Sequence, residues 1–295
     1  MKKSVGELIF SIINYLLLLL LSFSIVFPFW RIVVLSLNNG TDSMRGGVNF
    51  WPRVFTLDNY SVIFARSEII DAYLITIART AIGTVLSVFL MSLMAYGLSK
   101  KFLRGRQVVN IMMLITMFFS GGLIPFYLLL KDLHMLNTLW VYIIPSIYSA
   151  WYIILFRAFF QQLPPALEES AKLDGANDLI VYFKIVVPLS LPIFATIALF
   201  VAVGHWNDWY SGAVFVQNPK LIPLQTLLMN IIRENDSTKL IAGGVAELAN
   251  DKMKSVTSTS VKMATLVATI LPIVCLYPFL QKYFVKGVMV GSIKG

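Results

Sequence analysis

The residues best placed to do chemistry in this sequence stand in two short segments. The first is LPPALEESAKLDGANDLIVYFKIVVP, from Leu163 to Pro188, in which Glu168, Glu169, Ser170, Ala171, Asp174 and Gly175 offer charge and shape rather than a nucleophile. The second is His205-Trp206-Asn207-Asp208-Trp209-Tyr210. There, aromatic faces could stack on the C–H groups of a sugar while amide and carboxylate oxygens accept from its hydroxyls, so Trp206, Asn207, Asp208 and Trp209 could line a solute passage. Trp151 and Tyr152 offer the same chemistry. The plainer reading of all these aromatic residues is the belt of Trp and Tyr that forms at a membrane boundary.

Bond-making chemistry is not legible anywhere. The chain has no G-x-x-x-x-G-K-[ST] loop to cradle ATP phosphates, no H-E-x-x-H and no G-x-S-x-G. Its single cysteine, Cys275, excludes an internal disulfide and lies in an apolar run that suits packing. His134 and His205 stand near helix ends without an obvious partner and read as structural or interfacial groups. No catalytic, cofactor-binding or metal-ligating residue is therefore expected, the chain reads as no enzyme, and any ATP must be handled by another polypeptide.

These residues must be positioned by membrane-spanning helices. Of 295 residues, 58% are apolar and only 13% charged, well outside the ordinary soluble range. Apolar runs cover 8–37, 72–98, 108–130, 139–160, 188–210 and 263–283. Each supplies at least about 20 residues, enough to cross about 30 Å of hydrocarbon as a helix. Helices are favoured because a spanning segment must pair every backbone polar group internally, and the alternating strands of a barrel are absent. The first run is too long for the apolar core of a signal peptide and reads as a retained helix. An all-α, polytopic protein of six transmembrane helices follows, as a single domain over residues 1–295.

The net charge of +9 does not point to nucleic acid, because the basic residues sit in clusters beside apolar runs. Lys2, Lys3, Lys100, Lys101, Arg104, Arg106, Arg157, Lys282, Lys286 and Lys294 share one side under a six-span topology. By the positive-inside rule that side is the cytoplasm, with both termini on it and the longer loops, about 38–71 and 211–262, outside. Arg79 falls within the second span, where it either snorkels outward or lines a wet cavity. Gly121, Gly122 and Pro125 predict a kink in the third span, and Pro272 and Pro278 in the sixth.

The connector at about 163–187 reads as structured. Pro164 and Pro165 suit the first positions of a helix, Glu168 and Glu169 favour its dipole, and Ala166, Leu167, Ser170 and Ala171 make a narrow face of small and apolar groups. Gly175 can end that helix in a left-handed conformation, and Asn177 or Asp178 can cap a second one burying Leu179, Ile180 and Phe183. Such a helix-turn-helix either projects to meet a partner or lies amphipathically among lipid headgroups.

Resemblance separates these two readings. Glu169-Ser170-Ala171, then Gly175, then Ile185 and Val187-Pro188, resemble the EAA loop of ABC-importer permeases, with Ser170 in place of the first alanine and Val187 in place of leucine. Ala95-Tyr96-Gly97-Leu98-Ser99-Lys100 is similar to the end of the second span in carbohydrate-type members. Ser120-Gly121-Gly122-Leu123-Ile124-Pro125 with Leu136-Asn137-Thr138 resembles the oligosaccharide branch. The tail from Phe284 to Gly295 resembles the carboxyl end of the family, including the maltose-importer subunit.

The resemblance implies a type I ABC importer permease fold in a bacterial cytoplasmic membrane. It implies that Glu168, Glu169, Ser170, Ala171, Asp174 and Gly175 form the coupling helix and hinge that dock on the ATPase, with Gly291 to Gly295 a weaker contact. The implied partners are a second, related permease subunit forming a heterodimer, two ATP-binding cassette subunits that use ATP and magnesium, an extracytoplasmic solute-binding protein, and membrane lipid. The rival expectation is an ion-coupled secondary transporter, which would need carboxylates or discontinuous helices within the membrane.

Overall fold

Ser4 and Glu7 open the first span by capping each other. The Glu7 N–H donates to Ser4 Oγ at 3.2 Å and the Ser4 N–H to Glu7 Oε2 at 2.9 Å, which satisfies two amides at the start of α1 (Val5–Ser36). At 1.5 Å per residue its 32 residues reach about 48 Å, well beyond the hydrocarbon thickness. Leu16 to Leu21 are each at least half exposed, a surface that only an apolar medium covers. The computed structural model describes residues 4–233 and 255–292, with side chains as far as Cys275. Lys2, Lys3, the side chains of Lys282 and Lys286, Lys294, most of the tail from 291 to 295 and the middle of the 211–262 loop lie outside the described residues.

The chain divides into two compact units, one formed by residues 1–69 with 228–271 and the other by 70–227 with 272–295. In the first, the segment after α1 is pinned by polar groups rather than by apolar packing. Two short helices, α2 (Gly40–Met44) and α3 (Asp58–Phe64), follow α1. The buried Asn59 amide donates to the carbonyls of Ser36 and Asn38 at 2.8 and 3.0 Å. The Asn38 amide donates to the Asp42 carboxylate at 3.0 Å, and Arg53 Nε reaches the same oxygen at 3.1 Å. Those donors hold the Asp42 carboxyl below its ordinary range. The Gly40 N–H donates to the Ser255 carbonyl at 2.6 Å, and a Cβ at Gly40 would lie 2.5 Å from the Thr257 nitrogen.

The second unit holds the bundle that positions the site. The remaining helices are α4 (Ser67–Ser99), α5 (Arg106–Phe118), α6 (Leu123–Asp132), α7 (Trp140–Ile143), α8 (Ala150–Phe160), α9 (Pro165–Leu173), α10 (Asp178–Val181), α11 (Val187–Leu189), α12 (Leu191–Asn207), α13 (Tyr210–Phe215), α14 (Leu224–Arg233) and α15 (Ser258–Ser292). A π turn over Tyr182–Val186 joins α10 to α11. Among the described residues there is no strand, only an isolated bridge between Asn38 and Phe55. Three helices are long and apolar enough to cross a membrane alone, and six spans result when each bent helix pair counts as one. The polytopic six-span reading holds in that form.

The bends depart from expectation. The third span does not kink but breaks, with α5 and α6 at 115° across a junction where Gly122 takes φ +82°. The fourth bends by 49° between the Trp140–Ser146 segment and α8. The fifth, expected to begin at Pro188, turns by 82° between the Asp178–Leu189 segment and α12. Pro188 and Pro192 flank this turn and cannot donate the backbone bonds a straight helix would need. In α15, by contrast, no break falls at Pro272 or Pro278. Cys275, expected in packing, is exposed.

The core of the second unit joins α4, α8, α10 and α12. Ala95, Ile153, Phe156, Val181 and Ile197 have no exposed surface. Ser92 Oγ and the Tyr182 hydroxyl lie 2.7 Å apart inside this core and satisfy each other. The face expected to bury Leu179, Ile180 and Phe183 is the wrong one: those three are exposed, and Val181, Tyr182 and Val186 are buried instead. The π turn is the physical reason, since one extra residue per turn rotates the following side chains away from the helical register that the pattern assumes.

Candidate functional site

The loop between α8 and α10 is a short helix standing on a charged base. Pro165 opens α9 at its first position, where the missing N–H has no helical partner to lose. Gly175 follows with φ +84° and closes the turn, its N–H donating to the Lys172 carbonyl at 3.0 Å. Asn177 Oδ1 then accepts the Ile180 N–H at 2.9 Å and starts α10. The expected helix, left-handed glycine and helix are all present. Two ion pairs fix the assembly: Lys100 Nζ meets the Glu168 carboxylate, and Lys172 Nζ lies 2.8 Å from Asp178 Oδ1. Lys100 Nζ also sits 4.0 Å from the centre of the Tyr96 ring, a cation–π contact.

The six loop residues divide by direction. Glu168 turns inward onto Lys100, and Ala171 packs against the core of the bundle together with Ala176. Glu169, Ser170, Asp174 and Gly175 are exposed, and Leu173 is 90% exposed. The outer surface of α9 thus presents a carboxylate, a small hydroxyl and an uncovered leucine, while its inner surface grips the end of α4. An apolar side chain held out from a fixed helix suits insertion into another protein.

At the other end of α4 a second constellation encloses a cavity of about 310 Å³. Arg79, in the middle of an apolar span, has no exposed surface; it neither snorkels nor lines the cavity. Its Nη2 donates to the Asp208 carbonyl at 2.5 Å, Nη1 lies 3.5 Å from the Asp208 carboxylate, and the guanidinium sits 5.1 Å over the Tyr142 ring. The paired charge behind the wall lets Asp208 face the cavity without leaving an isolated buried ion. His205 Nε2 lies 3.3 Å from Ser146 Oγ and packs so close to α4 that a Cβ at Gly83 would be 2.4 Å from it. The histidine that lacked an obvious partner in the sequence therefore has one.

Of the passage residues expected from sequence, the structure brings Tyr152 and Asp208 to this cavity and not the others. Trp206 is buried against Ala72 and Leu224. Asn207 is exposed and accepts from Gln225 Nε2 at 3.3 Å. The Trp209 carbonyl accepts from Thr226 Oγ1 at 2.8 Å, and Trp151 is exposed away from the cavity. On a helix, consecutive residues point about 100° apart, so a run of neighbours cannot all face one space. Sequence reasoning missed Tyr142, Ser146, Phe200 and Gly204 in the wall. An arginine within one span and an aspartate at the matching end of another was the signal available for the pair. Among the described residues no three His, Cys, Asp or Glu side chains form a metal-ligating group.

Comparison with known proteins places this architecture. Residues 87–290 match the family model described as binding-protein-dependent transport system inner membrane component. The polygalacturonan/rhamnogalacturonan transport system permease protein YtcP of Bacillus subtilis (strain 168) is 38% identical over 287 residues, covering 97% of this chain and 99% of that protein. The arabinooligosaccharides transport system permease protein AraQ of the same organism is 26% identical over 294 residues, covering 97% of each. A chain from the crystal structure of a bacterial ABC transporter involved in the import of the acidic polysaccharide alginate superimposes with a TM-score of 0.90 at 32% identity. That match covers 96% of this chain and 99% of the other.

Proposed function

This chain belongs to the family of binding-protein-dependent transport system inner membrane components, and on that premise we propose that α9 is the handle through which separate ATP-binding subunits drive the import of a saccharide. The chain is a multi-pass permease subunit of an ABC importer in a bacterial inner membrane. A saccharide cargo is the reading favoured by relatives named for polygalacturonan, rhamnogalacturonan and arabinooligosaccharides.

In this reading two ATP-binding cassette subunits, a second permease subunit forming a heterodimer and an extracytoplasmic solute-binding protein complete the machine. ATP and its magnesium belong to the cassette subunits; this chain binds no cofactor and makes no covalent bond. The basic cluster Lys100, Lys101, Arg104 and Arg106 stands at the end of α4 that α9 grips, which supports a cytoplasmic position for the loop and for both termini. The observation that carries the reading is the two-faced α9: Glu169, Ser170 and Leu173 turned outward, Glu168 and Ala171 turned inward.

The mechanism follows from that geometry. Closure of the cassette pair on ATP displaces α9 as a rigid piece, because Gly175 and two ion pairs leave it little freedom of its own. The displacement passes through Lys100 into α4 and through Val181 and Tyr182 into the core shared with α8 and α12. Direction comes from the different affinities of the partners for the inward-facing and outward-facing states.

An ion-coupled carrier is the competing class, and the three broken spans are of the kind such carriers use. Family membership favours the ATP-driven class. Uptake by vesicles holding the whole assembly tests the choice. Uptake that needs ATP and the binding protein and ignores ionophores is expected; uptake by the chain alone, collapsed by an ionophore, overturns it.

A further inference from the structure

We propose that the cavity walled by Tyr152, Phe200, Ser146, His205 and Asp208 is a subsite for one uncharged pyranose unit of the imported saccharide, read by this subunit itself. The inference deepens the saccharide reading above and rests on it. Size comes first. Ligand pockets run from about 300 to 1,000 Å³, and at about 310 Å³ this one admits a single sugar ring rather than a chain.

The wall has the two chemistries a pyranose requires. Tyr152 and Phe200 present rings in nearly parallel planes, 16° apart with centroids 6.5 Å from each other, a platform for the C–H face of a sugar. Ser146, His205 and Asp208 bring hydroxyl, imidazole and carboxylate groups to hydrogen-bond its hydroxyls.

The charge arrangement selects against an acidic sugar. Arg79 has no exposed surface and spends its donors on Asp208, so no guanidinium faces the cavity to meet a uronate. The charged side chain in the wall is the Asp208 carboxylate, 32% exposed, which accepts from hydroxyls and repels another carboxylate.

Gly204 shows that the space is kept open. It lines the cavity, and a Cβ built there meets nothing within 4 Å. Gly83, on the facing helix, is the opposite case, because the space beside it is filled by the His205 ring. A side chain at 204 would enter the cavity without disturbing any neighbour.

Saturation-transfer NMR on the assembled importer in lipid nanodiscs tests the proposal, with methyl α-D-galactopyranoside as the neutral probe and D-galacturonate as the acidic one. Transfer to the neutral ring is expected, and Gly204→Leu weakens its binding by about tenfold or more while Gly204→Ala retains it. Tyr152→Ala provides a second variant, so an unfolded Gly204→Leu does not end the test. Equal binding in wild type and both cavity variants overturns the subsite, as does stronger binding of galacturonate or no transfer to either probe. The vesicle assay decides the importer reading separately: lost ATP dependence with this signal intact sinks that reading and not the subsite.

Discussion

Arg79 donates to the backbone carbonyl of Asp208 at 2.5 Å and holds the carboxylate of the same residue at 3.5 Å, tying the second span to the end of the fifth. The two partners are unequally buried, the Arg79 side chain at 0% exposure and that of Asp208 at 32%. Removing one member of a buried pair costs about 3–5 kcal/mol because the survivor is left as an unpaired charge. Asp208→Asn strands a fully buried cation and is expected to cost that much. Arg79→Leu leaves a carboxylate that can hydrate and costs less. Thermal unfolding of the purified assembly checks the order, and the double variant is expected to recover most of the loss.

Gly83 and His205 supply a steric test of the same region. Alanine at 83 would place its Cβ 2.4 Å from the imidazole, an overlap that backbone shift or ring rotation must relieve. Gly83→Ala is expected to destabilise by about 1–3 kcal/mol, despite the usual preference of helices for alanine. Combining it with His205→Ala removes the obstruction, so a double-mutant cycle should show a coupling of opposite sign to the single losses.

The turn at Gly175 tests the handle. Its φ of +84° costs an L side chain about 1–2 kcal/mol, and proline there cannot adopt that φ and loses the N–H given to Lys172. Gly175→Pro is expected to insert in the membrane normally yet fail to co-purify with the ATP-binding subunits, with Gly175→Ala intermediate. Normal co-purification in the proline variant would show that the turn does not position α9.

The Lys100–Glu168 pair is the link from handle to span. Lys100→Glu and Glu168→Lys are each expected to lower ATP-driven uptake by placing like charges together. The swapped double variant should regain a substantial part of it. Uptake that is equally poor in the double variant would mean that these side chains act through other partners.

Much of this organisation was legible in the sequence because it rests on local rules. Apolar length marked the spans, and Pro165, Gly175 and Asn177 marked the limits of α9 and the next helix through backbone preferences that need no tertiary contact. What was not legible depends on rotation and long-range pairing. The π turn from Tyr182 to Val186 moved Phe183 to the surface and Tyr182 into the core, a change that no apolar pattern records. Arg79 and Asp208 lie 129 positions apart, so their contact is visible only once α4 and α12 are packed. The aromatic cluster at 206–209 misled for a simpler reason: neighbours on a helix face different ways, and only Asp208 of that run reaches the cavity.

The central claim is that an ATP-binding subunit grips α9 from the cytosol. Leu173, 90% exposed, is the side chain to follow. In a background where Cys275 is replaced by serine, Leu173→Cys carrying a benzophenone maleimide should, on illumination of the assembled importer, form one adduct with the ATP-binding subunit. Before assembly, a membrane-impermeant maleimide should label the same cysteine in inside-out vesicles and not in right-side-out ones. Labelling from the outer face, or an illuminated assembly with no adduct to the ATP-binding subunit, would contradict the account.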